Sequence, residues 1–285
     1  MSLLREKTQR VIEDIAEDYP AVIGLHSVSL SDAEGQLSLN ADEVFPTASI
    51  IKVPVLLEFY RQAEEGMLDP AEVRLLGEVD KVGGSGVLQH LGAGSTALTL
   101  EDYARLMINL SDNTATNVII DTVGMDNVNR LLERLGMEVT RLTRKMYAKG
   151  LDLDTVENLS TPRELTGLME LTYRGDGLSH HAFGKALEAL KMYKTGVIKD
   201  AVSAGLAVAD KSGWMGGVEC DTGIVYLPKP YVVTVMAKNI PTWDQGSMDA
   251  KETLREIVSA VHGYYENVGS ATRYGRRAAE STGKP

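Results

Sequence analysis

One stretch that is apolar on nearly every side constrains the fold more than any other part of the chain. Its apolar side chains are Ile50, Ile51, Val53, Val55, Leu56, Leu57 and Phe59. Because a helix that is hydrophobic all round must lie inside the protein, we predict a buried central helix. Pro54 is close enough to the start to be tolerated. Gly66 is suited to end the helix, because glycine adopts the left-handed conformation without steric cost.

Ser49 and Lys52 stand at the start of this helix, three residues apart. Residues at this spacing share a helix face, so the lysine amine is predicted to reach the serine hydroxyl. Burial lowers the pKa of a lysine, and a neutral Lys52 could then take the proton of Ser49. The alternative is that Ser49 is only an N-cap and Lys52 a snorkelling side chain. Ser281 and Lys284 have the same spacing in polar surroundings, so the pattern also arises by chance.

Composition restricts the function classes. The chain has 285 residues, which allow one large or two closely packed domains, and 44% hydrophobic residues to form a core. A net charge of −11 argues against nucleic acid as a partner. The single cysteine, Cys220, has no histidine near it in the sequence, and we predict a structural role for it. The five histidines lack metal-ligand spacing, so no metal site is predicted.

The N-terminus and the longest apolar runs bear on localisation. No run approaches the roughly 20 apolar residues that a membrane span needs. The first residues lack the apolar core of a secretory signal and instead carry Leu4, Val11, Ile12 and Ile15 at roughly helical spacing. We therefore expect a cytoplasmic protein without a transmembrane segment, or a periplasmic or secreted one if a native leader has been removed. The sequence does not indicate an oligomeric state.

Strand and helix signals fall into three blocks along the chain. A hairpin is predicted after the first helix, because two runs that alternate apolar and polar residues flank a turn at 31–35. Helical signals then dominate from Ser49 to about Thr195, with predicted caps at Thr99, at Asn113 or Thr114, and at Thr161. Strand-like runs begin at residue 207 and lead to a last helix over about 249–266.

This order of elements predicts an α/β (α+β) architecture. Strands from both ends of the chain enclose a helical middle, which favours an antiparallel sheet flanked by the terminal helices and an inserted all-α domain. The predicted sheet domain comprises residues 1–45 and 200–268, the helical domain residues 46–199, and a C-terminal tail residues 269–285. Ser49 then falls at the seam between the two domains.

Two further segments were candidates for functional loops. The polar stretch from Arg141 to Ser160 shows no clear periodicity, and loops of this length are usually functional or disordered. The segment Gly83-Gly84-Ser85-Gly86 follows no convincing strand and lacks the lysine of a phosphate-binding loop. We interpret it as a flexible surface turn.

Two short motifs accompany the Ser49/Lys52 pair. Ser111-Asp112-Asn113 lies at the end of a predicted helix, and Lys211-Ser212-Gly213 lies on a predicted strand. In this order, and on these kinds of element, the three motifs resemble the signature of class A β-lactamases and penicillin-binding proteins. The resemblance extends over most of the chain, from the first helix to the last.

The resemblance implies a serine hydrolase that works through an acyl-enzyme and needs no cofactor. It implies that Ser49 is the acylated nucleophile and that Lys52 is its activating base. Ser111 would relay a proton to the leaving group. Asn113 would brace Lys52 and bind an amide of the substrate.

The resemblance also implies residues that hold the substrate. Lys211 and Ser212 would bind a substrate carboxylate. The backbone N–H groups of Ser49 and of Trp214, the residue after Gly213, would form the oxyanion hole. The partner is therefore expected to be a small amide or ester, such as a β-lactam or a peptidoglycan-like compound.

Two departures from the family pattern stand out. Class A enzymes activate the deacylating water with a loop glutamate two residues after an arginine; after Arg144 that place is Met146, which cannot accept a proton. Asp152, Asp154 and Glu157 follow in the same loop and are alternative bases, although solvated loop charge is the simpler interpretation. Trp214 is bulkier than the residue usual after Lys-Ser-Gly, which leaves the shape of the acyl pocket open.

Three functions remain open at this point. The leading expectation is a β-lactamase-like serine hydrolase whose turnover of β-lactams is weak. A D-alanyl peptidase or an esterase of the same fold would reach the same acyl-enzyme from another substrate. A β-lactam- or peptidoglycan-binding sensor would be acylated once and would stay acylated.

Overall fold

The longer helices and strands occur in the blocks that the sequence predicts, and three short strands lie within the predicted helical block. The computed structural model describes residues 2–31, 35–147, 157–177, 180–192, 194–241 and 246–270. The helices are α1 (Ser2–Glu17), α2 (Lys52–Glu64), α3 (Leu100–Asn109), α4 (Asn113–Val123), α5 (Met125–Arg134), α6 (Pro162–Arg174), α7 (His180–Leu190), α8 (Val197–Ala201) and α9 (Gly246–Ser270). The strands are β1 (Val22–Ser29), β2 (Leu37–Leu39), β3 (Phe45–Pro46), β4 (Val73–Leu75), β5 (Ala97–Thr99), β6 (Leu159–Ser160), β7 (Val208–Met215), β8 (Val218–Val225) and β9 (Tyr231–Lys238).

The main sheet takes its strands from both ends of the chain. Its five strands lie in the order β2-β1-β9-β8-β7, and all neighbours are antiparallel. Along β9, Val233 and Val235 share a core with Leu254 of α9, whereas Val232 belongs to the core of the helical half. Successive side chains of a strand point to opposite faces, so β9 is apolar throughout because both of its faces are covered. The predicted α/β architecture with an antiparallel sheet is confirmed.

Helix α2 lies at the centre of the helical half. One turn of 3₁₀ helix, Ala48–Ile51, precedes it, and ten of its thirteen residues are buried. It contacts α3, α4, α5 and α7, which surround it. Gly66 follows the helix with a φ of 70°, in the left-handed region. The predicted buried central helix is therefore confirmed.

The cap of α4 is Asp112, one residue before the predicted position. One carboxylate oxygen of Asp112 accepts a hydrogen bond from the Ala115 N–H at 2.9 Å. The other accepts from the N–H groups of Val87 and Leu88 at 2.7 and 2.9 Å. Three consecutive residues are all good caps, and contacts from a distant segment decide between them. The predicted caps at Thr99 and Thr161 are confirmed.

The domain division stays a prediction. The described part of the chain contains no helix that is both long and apolar enough for a membrane crossing. Helix α9 extends to Ser270, past the predicted end at 266, and residues 271–285 of the predicted tail lie outside the described residues.

Glu219 of β8 gives a testable pH dependence of stability. Its side chain is buried, and burial raises the pKa of Glu219 to about 7 from 4.5, partly opposed by the charge of Lys251. The folded state thus holds a proton that the unfolded state releases, so this stabilisation is present below pH 4.5 and is lost as the pH rises through 7. A difference of this size corresponds to about 3 kcal/mol.

We expect Glu219→Gln to be more stable than the wild type at pH 8, by up to about 3 kcal/mol in the free energy of unfolding, and to lose this advantage at pH 4. Denaturant unfolding at both values measures the difference. Glu256→Gln, at an exposed position of α9, serves as the matched control. An equal effect of Glu219→Gln at both pH values would contradict the assignment.

Candidate active site

Ser49 lies in the 3₁₀ turn that joins the sheet to the helical half. This turn packs against β7 and β8. Gly213 of β7 comes so close that a Cβ atom there would lie 2.7 Å from the Ser49 nitrogen and 3.0 Å from the Thr47 carbonyl oxygen. Any larger residue at 213 would push the strand away from the turn. The glycine of the third motif thus fixes the position of the serine of the first.

The Ser49 hydroxyl does not cap the helix. The residue at the N-cap of α2 is Ile51, and no side chain caps the 3₁₀ turn or the helix. The interpretation of Ser49 as a simple N-cap is therefore wrong. Within the described residues its hydroxyl makes no hydrogen bond, and the predicted direct bond to the Lys52 amine is not formed.

Lys52 is held by the second motif. Its amine donates to the Ser111 carbonyl oxygen at 2.7 Å, to the Ser111 Oγ at 3.0 Å and to the Asn113 Oδ1 at 2.9 Å. Ser111 has a φ of 51°, unusual for a residue other than glycine, and this backbone turns both of its oxygen atoms toward the amine. The predicted contact between Lys52 and Asn113 is present. The three hydrogen bonds hold the amine in one position.

The environment of Lys52 favours its neutral form. The side chain is fully buried. Burial, followed by the positive charge of Lys211, holds the pKa of Lys52 well below 10.5, against a smaller opposing effect of Asp112. The two amines are therefore near enough to interact electrostatically.

Lys211 is the second buried amine of the site. Only 1% of its surface is exposed, and its Nζ donates to the Ser212 carbonyl oxygen at 2.5 Å. Burial lowers the pKa of Lys211 to about 8, while the charge of Asp221 acts in the opposite direction. Lys211 therefore remains mostly charged at neutral pH.

A cavity of about 310 Å³ opens next to Ser49. Its lining consists of Ala48, Ser49, Gly84, Ser85, Asn113, Arg144, Met146, Tyr147, Glu157, Asn158, Trp214, Met215 and Gly216. Three of the predicted site residues, Ser49, Asn113 and Trp214, thus meet in one cavity. Ser111, Ser212 and the two lysines do not line it. A larger cavity of about 490 Å³ between α2, α3 and α7 contains no motif residue, so size alone does not identify the site.

Residues 83–86 border the same cavity; Gly83 and Gly84 are exposed, as the predicted surface turn requires, but the segment is also bound to Asn113. The Asn113 side chain donates to the Gly83 carbonyl oxygen, and the Asn113 backbone N–H donates to the Ser85 carbonyl oxygen, each at 3.0 Å. A Cβ atom at Gly84 would lie 2.7 Å from the Asn113 Nδ2 and 2.6 Å from the Tyr147 ring. The glycines allow this close approach. Their number in a short segment was the sequence signal for it.

The long loop is tied down on both sides of Met146. Arg144 donates to both carboxylate oxygens of Glu157 at 2.8 and 2.9 Å, with both side chains largely buried. Asn117 of α4, which the sequence analysis missed, exchanges two hydrogen bonds with the Met146 backbone at 2.8 and 2.9 Å. Asn117 lies one turn after Asn113, and this spacing on one helix face was the available signal.

Of the three carboxylates that the sequence offers as alternative bases, the structure describes one. Glu157 forms an ion pair with Arg144, and this pair joins the two ends of the loop. Asp152 and Asp154 lie outside the described residues. Met146 lines the described wall of the cavity, and its thioether cannot accept a proton from water.

Cys220 lies behind the Ser49 turn. Its thiol is buried and donates to the carbonyl oxygens of Gly213 at 3.1 Å and of Thr47 at 3.4 Å. Burial raises the pKa of Cys220 well above 9, which disfavours the nucleophilic thiolate. Among the described residues, no group of His, Cys, Asp and Glu is arranged to hold a metal ion.

A family model described as the β-lactamase enzyme family matches residues 6–265, which is most of the chain. The chain belongs to the β-lactamase enzyme family. A curated relative in this family, β-lactamase PSE-4 of Pseudomonas aeruginosa, is 26% identical over 277 residues, or 94% of this chain and 93% of the relative. The β-lactamase of Amycolatopsis lactamdurans is 28% identical over 230 residues, 76% of this chain and 73% of the relative.

Solved structures of the β-lactamase fold superpose over nearly the whole chain. The β-lactamase from Sphaerobacter thermophilus has a TM-score of 0.81 with 31% identity, and covers 90% of this chain and 95% of its own. PBP-A has a TM-score of 0.81 with 28% identity, over 91% and 96% of the two chains. A leucine-to-glutamate variant of PBP-A, solved as an acyl-enzyme complex with penicillin G, has a TM-score of 0.80 with 28% identity, over 93% and 97%.

Membership of the β-lactamase enzyme family confirms two predictions. The chain has the β-lactamase-like fold, and it is a serine hydrolase at the level of the family. The roles of the individual residues remain predictions.

Proposed function

We propose that this protein opens β-lactams or related amides and esters by acylation of Ser49 and releases the acyl group slowly. The observation that supports this proposal most strongly is the set of hydrogen bonds from the Lys52 amine to Ser111 and Asn113. Two motifs that are remote in the sequence are joined at one buried amine, within one turn of Ser49. β-Lactams are named as substrates of the relatives, and the choice of substrate for this chain rests on that likeness.

The hydrogen bonds of Lys52 suggest how the proton moves. A charged amine donates three hydrogen bonds, and three acceptors surround it. A neutral amine has two N–H groups and one lone pair. The Ser111 carbonyl oxygen and the Asn113 Oδ1 can only accept, so the Ser111 hydroxyl is the one partner that can turn round and donate to the lone pair. Ser111 is thereby suited to pass protons to and from Lys52.

The chemical step follows from these roles. Neutral Lys52 takes the hydroxyl proton of Ser49, directly or through Ser111, while the Ser49 Oγ attacks the carbonyl carbon of the substrate. The carbon–nitrogen or carbon–oxygen bond of the leaving group breaks, and Ser111 hands the leaving atom a proton that Lys52 replaces. A positioned base of this kind contributes roughly 10²–10⁴-fold in rate.

Backbone donors and buried charge would stabilise the reacting groups. The contact between Gly213 and the Ser49 turn supports an oxyanion hole made of the Ser49 and Trp214 N–H groups. Removing one such donor costs roughly 2.7–4 kcal/mol in other serine hydrolases. Charged Lys211, with Ser212 beside it, favours an anionic group on the substrate.

Met146 and Glu157 support slow release of the acyl group. The first cannot accept a proton, and the second is paired with Arg144. The same observation favours a second candidate function, in which the protein is a sensor that is acylated once and reports the presence of its ligand.

We expect Met146→Glu to convert slow release into turnover. The backbone of residue 146 is held by Asn117, so a carboxylate placed there would point into the cavity that Ser49 lines. A general base in this position should speed deacylation by roughly 10²–10⁴-fold. Single-turnover decay of the acyl-enzyme measures this rate, and Met146→Gln, of similar size without a basic oxygen, is the matched control. An equally slow decay in both variants would contradict the expected role of position 146.

One kinetic experiment tests the proposed function. Purified protein is mixed with a chromogenic cephalosporin, with a p-nitrophenyl ester or with a D-alanyl peptide, and product is followed at several protein concentrations. A burst equal to the protein concentration, followed by slow release, supports the proposal. Sustained release from the ester alone would identify an esterase, and sustained release from a D-alanyl peptide substrate a peptidase. No burst with any of these substrates would overturn the proposal.

A further inference from the structure

Three buried ionisable side chains lie next to Lys211 and have no part in the mechanism above. Asp210 and Asp221 are fully buried, and Lys194 is 8% exposed. Moving a charged group out of water costs several kcal/mol unless it is paired. The free-energy cost of burying three ionisable groups beside one amine of the active site suggests that they have a function there.

The two carboxylates occupy one small space. Asp210 precedes Lys211 on β7, and Asp221 faces Ser212 from β8. A Cβ atom at Gly196 would lie 2.7 Å from the Asp221 Oδ2 and 3.0 Å from the Asp210 Oδ2, so both oxygens face the same glycine. Two buried carboxyl groups so near each other disfavour double ionisation, and burial followed by the charge of Asp210 holds the pKa of Asp221 well above 3.8.

Within the described part of the chain, the hydrogen bonds of the pair leave three of its four oxygen atoms without a partner. The Asp221 Oδ2 accepts from the Ile198 N–H at 3.0 Å. Among the described residues, the Asp221 Oδ1 and both oxygens of Asp210 have no hydrogen-bond partner. The Lys194 amine lies 3.4 Å from the Asp210 Oδ1, as an ion pair without good hydrogen-bond geometry. An ammonium at Lys194 would balance one negative charge on the pair.

We propose that Asp210, Asp221 and Lys194 are positioning residues that set the charge state of Lys211, and through it that of Lys52. The inference rests on the proposed function for its effect on catalysis. The carboxyl pair raises the pKa of Lys211, and the Lys194 amine lowers it. The opposing effects keep the charged and the neutral form of Lys211 close in free energy.

Besides burial, four ionisable groups from β7, β8 and the segment before α8 act on the pKa of Lys211. Burial lowers the pKa of Lys211 most; the charge of Asp221 raises it, Lys194 lowers it, and Asp210 raises it. A thiolate at Cys220 of β8 would also raise the pKa of Lys211, but burial raises the pKa of Cys220 itself and so favours the neutral thiol. The sum is a pKa of about 8 for Lys211.

The charge of Lys211 also affects Lys52, and Lys199 affects the carboxyl pair. Charged Lys211 lowers the pKa of Lys52, and Asp112 opposes this effect. Lys199 of α8 lowers the pKa of Asp210 and so favours a charge on the carboxylate pair. A change in the pair should thus reach Lys52 in two steps, first through Lys211 and then across the space between the two amines.

The test is the pH dependence of the acylation rate in variants that remove either the positive or the negative charges near Lys211. Removal of a neighbouring opposite or like charge shifts a pKa by roughly one unit or more. In Lys194→Met the alkaline limb, where Lys211 loses its proton, should move up by roughly one pH unit. In the double variant Asp210→Asn with Asp221→Asn it should move down by a similar amount. Glu219→Gln removes a buried carboxyl of β8 that is not among the main influences on the pKa of Lys211, and it should leave the limb in place.

A second measurement separates this inference from the proposed function. Lysine labelled with ¹³C at the ε carbon is incorporated into Ser49→Ala protein, and the Lys211 signal is identified by its loss in Lys211→Met. Its titration midpoint should move in the same two directions as the kinetic limb. Absence of acylation in the wild type would refute the proposed function while the titration still decides the network.

An unmoved midpoint in both charge variants would overturn the inference, as would movement in the same direction in both. A purely structural role predicts loss of stability without opposite shifts. If the double variant does not fold, the single variant Asp221→Asn takes its place, with a smaller downward shift expected.

Discussion

Ser49→Ala is expected to abolish the burst with a chromogenic cephalosporin, together with all turnover above the uncatalysed rate. The alanine removes the only oxygen of the first motif that can carry the acyl group. It leaves the turn in place, because the hydroxyl makes no hydrogen bond to the described residues and caps neither the turn nor α2. The free energy of unfolding should therefore change by less than about 0.5 kcal/mol.

The chain offers its own control for this variant. Ser281 and Lys284 form a second Ser-x-x-Lys pattern, and Ser281→Ala should keep the full burst. Stopped-flow absorbance with thermal unfolding of both variants measures activity and stability side by side. A burst that survives in Ser49→Ala would exclude this serine as the nucleophile.

Lys52→Met is expected to slow acylation by roughly 10²–10⁴-fold, the contribution of a positioned base. The methionine side chain has nearly the same length and removes an amine that is fully buried, so the fold should tolerate it better than an arginine. In the wild type the acylation rate should fall as the pH drops through the lowered pKa of Lys52, because only the neutral amine accepts a proton. The variant should lose this acid limb.

Lys185→Met is the matched control, because this lysine of α7 is 41% exposed in its side chain and lies away from the motifs. Acylation rates from pH 5 to 9 in the three proteins measure the effect. An unchanged rate in Lys52→Met, or an acid limb that persists in it, would show that another group takes the proton of Ser49.

The fold was largely predictable because its signals are local. The run from Ile50 to Phe59 is apolar on all sides, and only a buried helix accommodates it. The capping residues at Thr99 and Thr161 mark helix starts through contacts within four residues. The order of strands in the sheet is a long-range property, yet the alternating runs at the two ends of the chain indicated its composition.

The site was predictable only where motifs carry it. The spacing of Ser49 and Lys52 predicted a shared face, but the amine turns to Ser111 and Asn113, which come from another helix end. Asp112 caps α4 because it also binds the distant Val87 N–H, and no local rule contains that contact.

Close approaches of backbone segments were the main features that the sequence did not reveal. The role of residues 83–86 depends on how near they come to Asn113, and the fit of Gly213 depends on the Ser49 turn. The shared space of Asp210 and Asp221 arises from strand register together with a glycine in a different segment. Such contacts depend on the packed structure, and the sequence shows only which residue types take part in them.

The most direct test is to locate the acyl group after a short incubation of the wild-type protein with penicillin G. Digestion with trypsin should yield the peptide of residues 11–52, which contains Ser49, carrying the mass of one added penicillin. Fragmentation should place that mass on Ser49, and the adduct should decay slowly on dilution. An adduct on any other residue, or none under conditions that give a burst, would contradict acylation of Ser49.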